Sequence, residues 1–269
     1  MRLSGGAKLL QANSGAFSAA RIWISRKKRK LLLLFFCLVA FSSIAFAQTV
    51  TVTPRKTVYR RPKPLVSFKQ SFAVIRPHVR GLKPLALNRK VEKTLSYEKI
   101  FKLNVREEIR EIQWLEEASY KVNYNKGGIL DVTLFMSGSG AYPSVHEKQV
   151  MVNLKTGTRL VPSDVFTNLA GLVAKVRKVQ QAEMKKATED YKRNPDARDW
   201  DASPYFNDAK YTIKNLSDFT IDEKGVTFIY DYGFPHVALA LQPEGRFSFT
   251  WAELKPFVKT SGLFAQFVR

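Results

Sequence analysis

The chain has 269 residues, a single cysteine at Cys37, and 44 Lys and Arg against 23 Asp and Glu, a formal net charge of +21. One cysteine excludes an intrachain disulfide, and the chain after residue 47 has no cysteine to ligate a metal, so the fold there must rest on an apolar core, for which 45% hydrophobic residues suffice. The charge is uneven: residues 1–47 hold 8 Lys and Arg and no acid, residues 48–103 hold 14 against 2, and residues 104–269 hold 22 against 21. A nearly neutral remainder argues against nucleic acid as a partner.

Residues 26–30 read Arg-Lys-Lys-Arg-Lys, and Leu31 to Ala47 carry no charge and end in Ala45-Phe46-Ala47. This layout predicts a signal peptide over residues 1–47, cleaved before Gln48, with the basic cluster held on the cytoplasmic side. An uncleaved anchor is the alternative, although a helix over this stretch reaches only about 25 Å, short of the ~30 Å hydrocarbon core. The expected location is extracytoplasmic, periplasmic or secreted, with membrane contact only through this segment.

Residues 48–64 mix Thr, Val, Arg and Lys with Pro54, Pro62 and Pro64, which predicts an extended basic linker. Its Arg55, Lys56, Arg60, Arg61 and Lys63 are candidate contacts for anionic envelope polymers. Two α+β subdomains are expected to follow, at 65–160 and 161–269. Val66, Phe68, Phe72 and Val74 alternate with polar residues as a half-buried strand, which Pro77 is expected to end. Val91, Leu95 and Ile100 have helical spacing over 88–101, and Asn104 is placed to cap a second short helix. Three alternating strands then predict an antiparallel meander: one around Ala118 to Tyr124, one over Ile129 to Ser137, and one around Lys148 to Leu154. The stripe Leu169, Leu172, Val173, Val176, Val179, Met184 and Ala187 predicts a long helix over 168–191. Strands are expected at Phe219–Ile221, Val226–Asp231 and Arg246–Thr250, and Thr250-Trp251-Ala252-Glu253 has capping-box spacing. The fold class is therefore α+β, a meander sheet with helices packed on it.

Several segments resemble the domain of unknown function shared by RsiV-type anti-sigma factors and PdaC-type peptidoglycan deacetylases. They include Val74 to Leu82, Gly140-Ala141-Tyr142-Pro143, Val152 to Leu160, Phe234-Pro235-His236 and Phe249 to Leu254, within a likeness that runs from Phe72 to Phe264. The chain departs from that pattern at Val237-Ala238-Leu239-Ala240-Leu241, where the family usually has a glycine, so the local backbone is expected to differ. The resemblance implies an extracytoplasmic sensor or binding module, which in anti-sigma members recognises lysozyme and in deacetylases accompanies a catalytic domain. It brings no catalytic residues.

The residues themselves supply no catalytic motif. His78, His146 and His236 form no ligand pair, no serine sits in a nucleophile elbow, and there is no phosphate-cradling glycine loop. Asp199-Trp200-Asp201-Ala202-Ser203 opens like a calcium loop, but Pro204 and Lys210 stand where that loop needs glycine and a bidentate glutamate. No metal and no cofactor are expected. The favoured reading is a non-catalytic envelope module that binds a protein or a cell-wall glycan, with Tyr142, Pro143, Tyr232 and His236 near its working surface because turns and exposed rings often carry recognition. A cell-wall hydrolase or esterase using separated carboxylates such as Asp164, Asp231 and Glu253 is the first alternative. A membrane-anchored anti-sigma-type signalling protein is the second.

Overall fold

Alternation of apolar and polar residues builds most of this molecule. The computed structural model describes residues 49–65, 69–193, 204 and 209–269. The expected signal segment, Val66 and Phe68 of the first expected strand, and the Asp199–Ser203 loop lie outside the described residues. Strands β1 (Thr51–Arg60), β2 (Ser71–Arg80), β3 (Leu115–Lys126), β4 (Ile129–Ser139), β5 (Pro143–Asn153) and β6 (Thr158–Arg159) form a six-stranded sheet in that order. All neighbours are antiparallel except β2 and β3, which pair in parallel at Ala73 and Val74. A parallel neighbour needs a long crossover. Here it runs through three short helices, α1 (Leu85–Thr94), α2 (Tyr97–Ile100) and α3 (Val105–Arg110). A second sheet joins β7 (Phe219–Ile221), β8 (Gly225–Ile229) and β9 (Arg246–Thr250).

The meander expected over β3 to β5 is present, and its central strand has two buried faces. Residues Ile129 to Leu134 of β4 are all buried. Successive side chains point to opposite faces, and the two faces serve different cores. Leu130, Val132 and Leu134 join Val150 and Val152 of β5 in a cluster with Val91, Leu95 and Tyr97 from the helical crossover. Ile129 and Met151 face the other way, into a cluster with Leu172, Val173 and Val176, the strands β7 to β9, Trp251 and Phe264. The six-stranded sheet ends at Arg159 and the three-stranded sheet begins at Phe219. Even so, the described residues belong to one compact unit, 46–269, and Leu160 too lies in the second cluster.

Three helices can be set against their sequence pattern. The helix expected over 88–101 is broken into α1 and α2, with Ser96 accepting from the Lys99 N–H as the cap of the second. A four-residue helix, α4 (Pro162–Val165), precedes the long helix α5 (Leu169–Arg193). The α5 stripe drifts from the expected one: Leu172, Val173, Val176, Gln180 and Met184 are buried, whereas Val179 is 41% exposed. Gln180 is buried because its Oε1 accepts the Tyr211 N–H at 2.8 Å, which satisfies a donor that would otherwise be orphaned. Thr250 and Glu253 make the expected reciprocal caps at the start of α6 (Trp251–Leu254), but α6 is a single turn that runs into a 3-10 turn over Lys255–Phe257.

The N-terminal arm departs most from expectation. Residues 51–60 are not a linker: they form β1, paired along its whole length with β2. Pro54 lies opposite Pro77, so Pro77 does not end the strand as expected. Neither proline has an N–H to give, and a position between the hydrogen-bonded rungs of an antiparallel ladder needs none. Arg61, expected as a surface contact, is only 2% exposed. Its guanidinium donates to the carbonyl oxygens of Lys69 at 2.6 Å, Leu115 at 2.6 Å and Glu108 at 3.2 Å, and it lies over the Phe72 ring. Gln113 completes the fastening, with Nε2 donating to the Lys63 carbonyl and Oε1 accepting from the Leu65 N–H. Arg55, Lys56, Arg60 and Lys63 do remain exposed. Among the described residues, no helix is long and apolar enough to cross a membrane.

Candidate functional site

The outer half of β5 and the segment from Ile229 to Arg246 border a cleft of about 500 Å3. Strand β5 places Val145 to Gln149 along one wall, and Tyr230, Asp231, Gln242, Glu244 and Arg246 line the other. Ion pairs join the walls: Arg246 donates to Glu147 at 2.8 Å, and Lys148 lies 3.4 Å from Asp218. Both pairs are partly exposed, and pairs of this kind contribute about 0–1 kcal/mol each, so they orient the walls more than they hold them. Four carboxylates, of Glu147, Asp218, Asp231 and Glu244, against Lys148 and Arg246 leave the lining acidic.

The same two segments touch again at the tip of the β4–β5 hairpin. Tyr142 and His236 stack with ring centroids 4.0 Å apart and planes 16° from parallel. Tyr142 is 57% exposed and His236 is exposed, so both rings keep a face toward solvent. Pro143 follows at the exposed start of β5, opposite Ser139. Further exposed apolar surface comes from Val145 on β5 and from Val237 and Leu239 in the 3-10 helix His236–Leu241, which occupies the stretch where the resemblance called for a glycine. Sequence reasoning named Tyr142, Pro143 and His236 from separate segments 94 residues apart, and the structure brings the two rings into contact.

Tyr232 is placed elsewhere. Its ring is half-buried beside Met184, Ala187 and Phe234, and its hydroxyl donates to Glu183 of α5 at 2.7 Å. Burial, and then the adjacent Glu183 carboxylate, push this phenol far above its ordinary range. Nearby Gly245 has φ +65°, and a Cβ there would meet the Tyr230 carbonyl oxygen at 2.0 Å, so only glycine lets β9 begin beside Tyr230. Neither Gly245 nor the Glu147–Arg246 pair was found from the sequence, since each depends on a partner far along the chain.

The carboxylates weighed for hydrolysis are not assembled. Asp164 accepts the Val161 N–H at the start of α4, and Glu253 caps Thr250; of the three, Asp231 lines the cleft and accepts the Gly233 N–H. Glu253 is held below its usual range, first by the Thr250 N–H bond. Among the described residues no three His, Cys, Asp or Glu side chains are grouped to hold a metal ion. His78 bonds Glu92, and His146 packs against Trp114.

The sequence matches no protein-family model and no curated protein. A solved structure does share the fold. A DUF3298 family member from Bacteroides fragilis NCTC 9343 superposes with a TM-score of 0.51 at 10% identity, over 83% of this chain and 98% of that one. A DUF3298 protein from Pseudomonas aeruginosa PAO1 gives 0.46 at 14% identity, over 79% of this chain and 96% of that one. The two-sheet α+β architecture built above is thus the fold of a DUF3298 domain.

Proposed function

We propose that this chain is an exported, non-catalytic binding or sensing module of the cell envelope, akin to the domain of RsiV-type and PdaC-type proteins. Its ligand is a protein of the lysozyme kind or a cell-wall glycan. The observation that carries this reading is the exposed Tyr142–His236 stack, made by residues that adjoin or lie within, in sequence, the two segments bordering a polar cleft. Paired rings with free faces present apolar area at little entropic cost, and sugar C–H faces or an apolar protein side chain can pack on them. The cleft supplies carboxylates, amides and an arginine for orienting polar bonds, as binding sites commonly do. Export rests on the charged and apolar pattern of residues 26–47. The exposed Arg55, Lys56, Arg60 and Lys63 add an electrostatic attraction for anionic envelope polymers.

Calorimetric titration of the purified protein with soluble peptidoglycan fragments and, separately, with lysozyme tests this reading. Saturable binding to one of them is expected, and Tyr142→Ala should weaken it about tenfold, as loss of an aromatic anchor does. The melting temperature should barely change, since the side chain is largely solvated. Absence of binding to both ligands, or equal affinity of the variant, would sink the proposal. Hydrolysis of the fragments that is lost in Asp231→Asn would instead promote the hydrolase reading.

A further inference from the structure

Arg55 and Arg76 stand directly opposite each other across β1 and β2. Opposed residues of an antiparallel pair project to the same face with Cβ atoms about 5 Å apart, and like charges so placed repel. Arg76 has one carboxylate partner, Glu98. The Arg55 side chain has no hydrogen-bond or ion-pair partner among the described residues. Both line a cavity of about 80 Å3 whose remaining wall includes His78, Glu92 and Ser96. The acid in that wall is committed: Glu92 Oε1 accepts from the Val79 N–H at 2.9 Å and bonds His78 Nδ1 at 2.6 Å, while His78 Nε2 accepts from Arg80 at 3.0 Å. Ser96 uses its oxygen as an acceptor for the Lys99 N–H, which leaves its hydroxyl hydrogen free to donate. Because β1 is the edge of the sheet and exposed along most of its length, the cavity is open to solvent.

We propose that this cavity binds one phosphate group, held between the Arg55 and Arg76 guanidiniums with Ser96 as a third donor. A bound oxyanion converts the opposed cations from a repulsive pair into two charge-assisted donors, and the guanidinium fork matches phosphate oxygens. The volume admits a single tetrahedral oxyanion and no sugar ring. The ligand is therefore a phosphate, free or as the exposed group of a lipid headgroup. The site goes beyond the proposed binding at the Tyr142–His236 stack and does not depend on it.

Titration of the full chain with inorganic phosphate at constant ionic strength, followed by phosphorus NMR, tests the site, with vesicles of phosphatidylglycerol in a parallel arm. Saturable binding is expected in the first arm, or in the vesicle arm alone if the source is a lipid headgroup. Arg55→Gln should raise the dissociation constant about tenfold, as loss of one charged hydrogen-bonding partner does. Lys185→Gln, an exposed cation on α5 that lines no part of the cavity, should leave it unchanged. Equal weakening by the two variants would show diffuse charge attraction and overturn the site, as would non-saturable binding in both arms. Tyr142→Ala should keep phosphate binding intact, so failure at the Tyr142–His236 stack and failure at this site are read separately.

Discussion

The two ends of the large sheet treat charge in opposite ways. At the β5 end, Arg246 and Lys148 are each matched to a carboxylate brought from the other wall of the cleft, Glu147 and Asp218. At the β1 end, Arg55, Lys56 and Arg60 stand exposed on an edge strand. That ribbon is held by apolar contacts such as Tyr59 on Phe72 and by backbone carbonyls that converge on Arg61. The difference shows that the net charge of +21 is no uniform coat. An acidic, cross-braced recess and a cationic, unbraced edge belong to one compact unit, and they suit different ligands. Arg60 and Arg61 make the same point at the scale of one residue, because one is solvated and its neighbour is a buried clamp.

The most severe way to break the comparison is to remove that clamp. Arg61→Ala strips donors from three carbonyls, two of them in buried bonds, and should destabilise the protein by roughly 3–5 kcal/mol, since each orphaned polar group costs about 1–3 kcal/mol. Urea unfolding reads the loss. Arg60→Ala, its exposed neighbour, should stay within about 0.5 kcal/mol of the parent. Equal effects would mean that Arg61 is not the anchor of the ribbon. On the cleft side, Gly245→Ala should cost about 2–3 kcal/mol, because a side chain at positive φ is strained and its Cβ would clash with the Tyr230 carbonyl.

What could be read from the sequence follows from the range of the forces involved. The β3–β5 meander, the three strands of the small sheet, and the caps at Asn104 and Thr250 are local patterns, and each is present. The arm over 51–60 was misread because its prolines and cations look like linker composition, whereas its pairing is set by β2, some twenty residues on. Val179 and Gln180 exchanged roles because the partner of Gln180, the Tyr211 N–H, lies 31 residues away. At the site, exposed rings at turns were readable, hence Tyr142 and His236. The wall-to-wall pair Glu147–Arg246 spans 99 residues and was not.

A third prediction concerns the junction of the two sheets, which both ends share. Asp131 of β4 is fully buried, and its Oδ2 accepts from the Thr220 hydroxyl and the Ile221 N–H, while Oδ1 has no partner among the described residues. Burial raises its pKa from 3.8 to about 6, against the opposing pull of the Thr220 and Ile221 bonds. Below the unfolded value both states carry the proton. Between the two values only the native state does, so stability from this group falls as pH rises through the window and the full penalty stands above it. The difference corresponds to about 3 kcal/mol at one unit per 1.36 kcal/mol. Melting curves from pH 4 to 8 should therefore show the parent gaining stability on acidification relative to Asp131→Asn. Parallel curves would contradict a buried, ionised carboxyl at the junction.

The smallest expected effect sharpens the comparison best. Arg246→Gln removes the cation that braces the cleft, yet the pair is 40% and 34% exposed, so stability should drop by no more than about 1 kcal/mol. The loss should also shrink with added salt, because solvent screens an exposed pair. Glu147 is then left as a free carboxylate in a lining that already holds three others, which makes the recess more acidic. If the cleft orients the ligand gripped at Tyr142 and His236, binding measured by calorimetry should weaken more than the melting temperature suggests, whereas phosphate binding at Arg55 should not move. A change in both would mean that the two ends of the sheet are coupled, and the segregation of charge between them would no longer imply separate ligands.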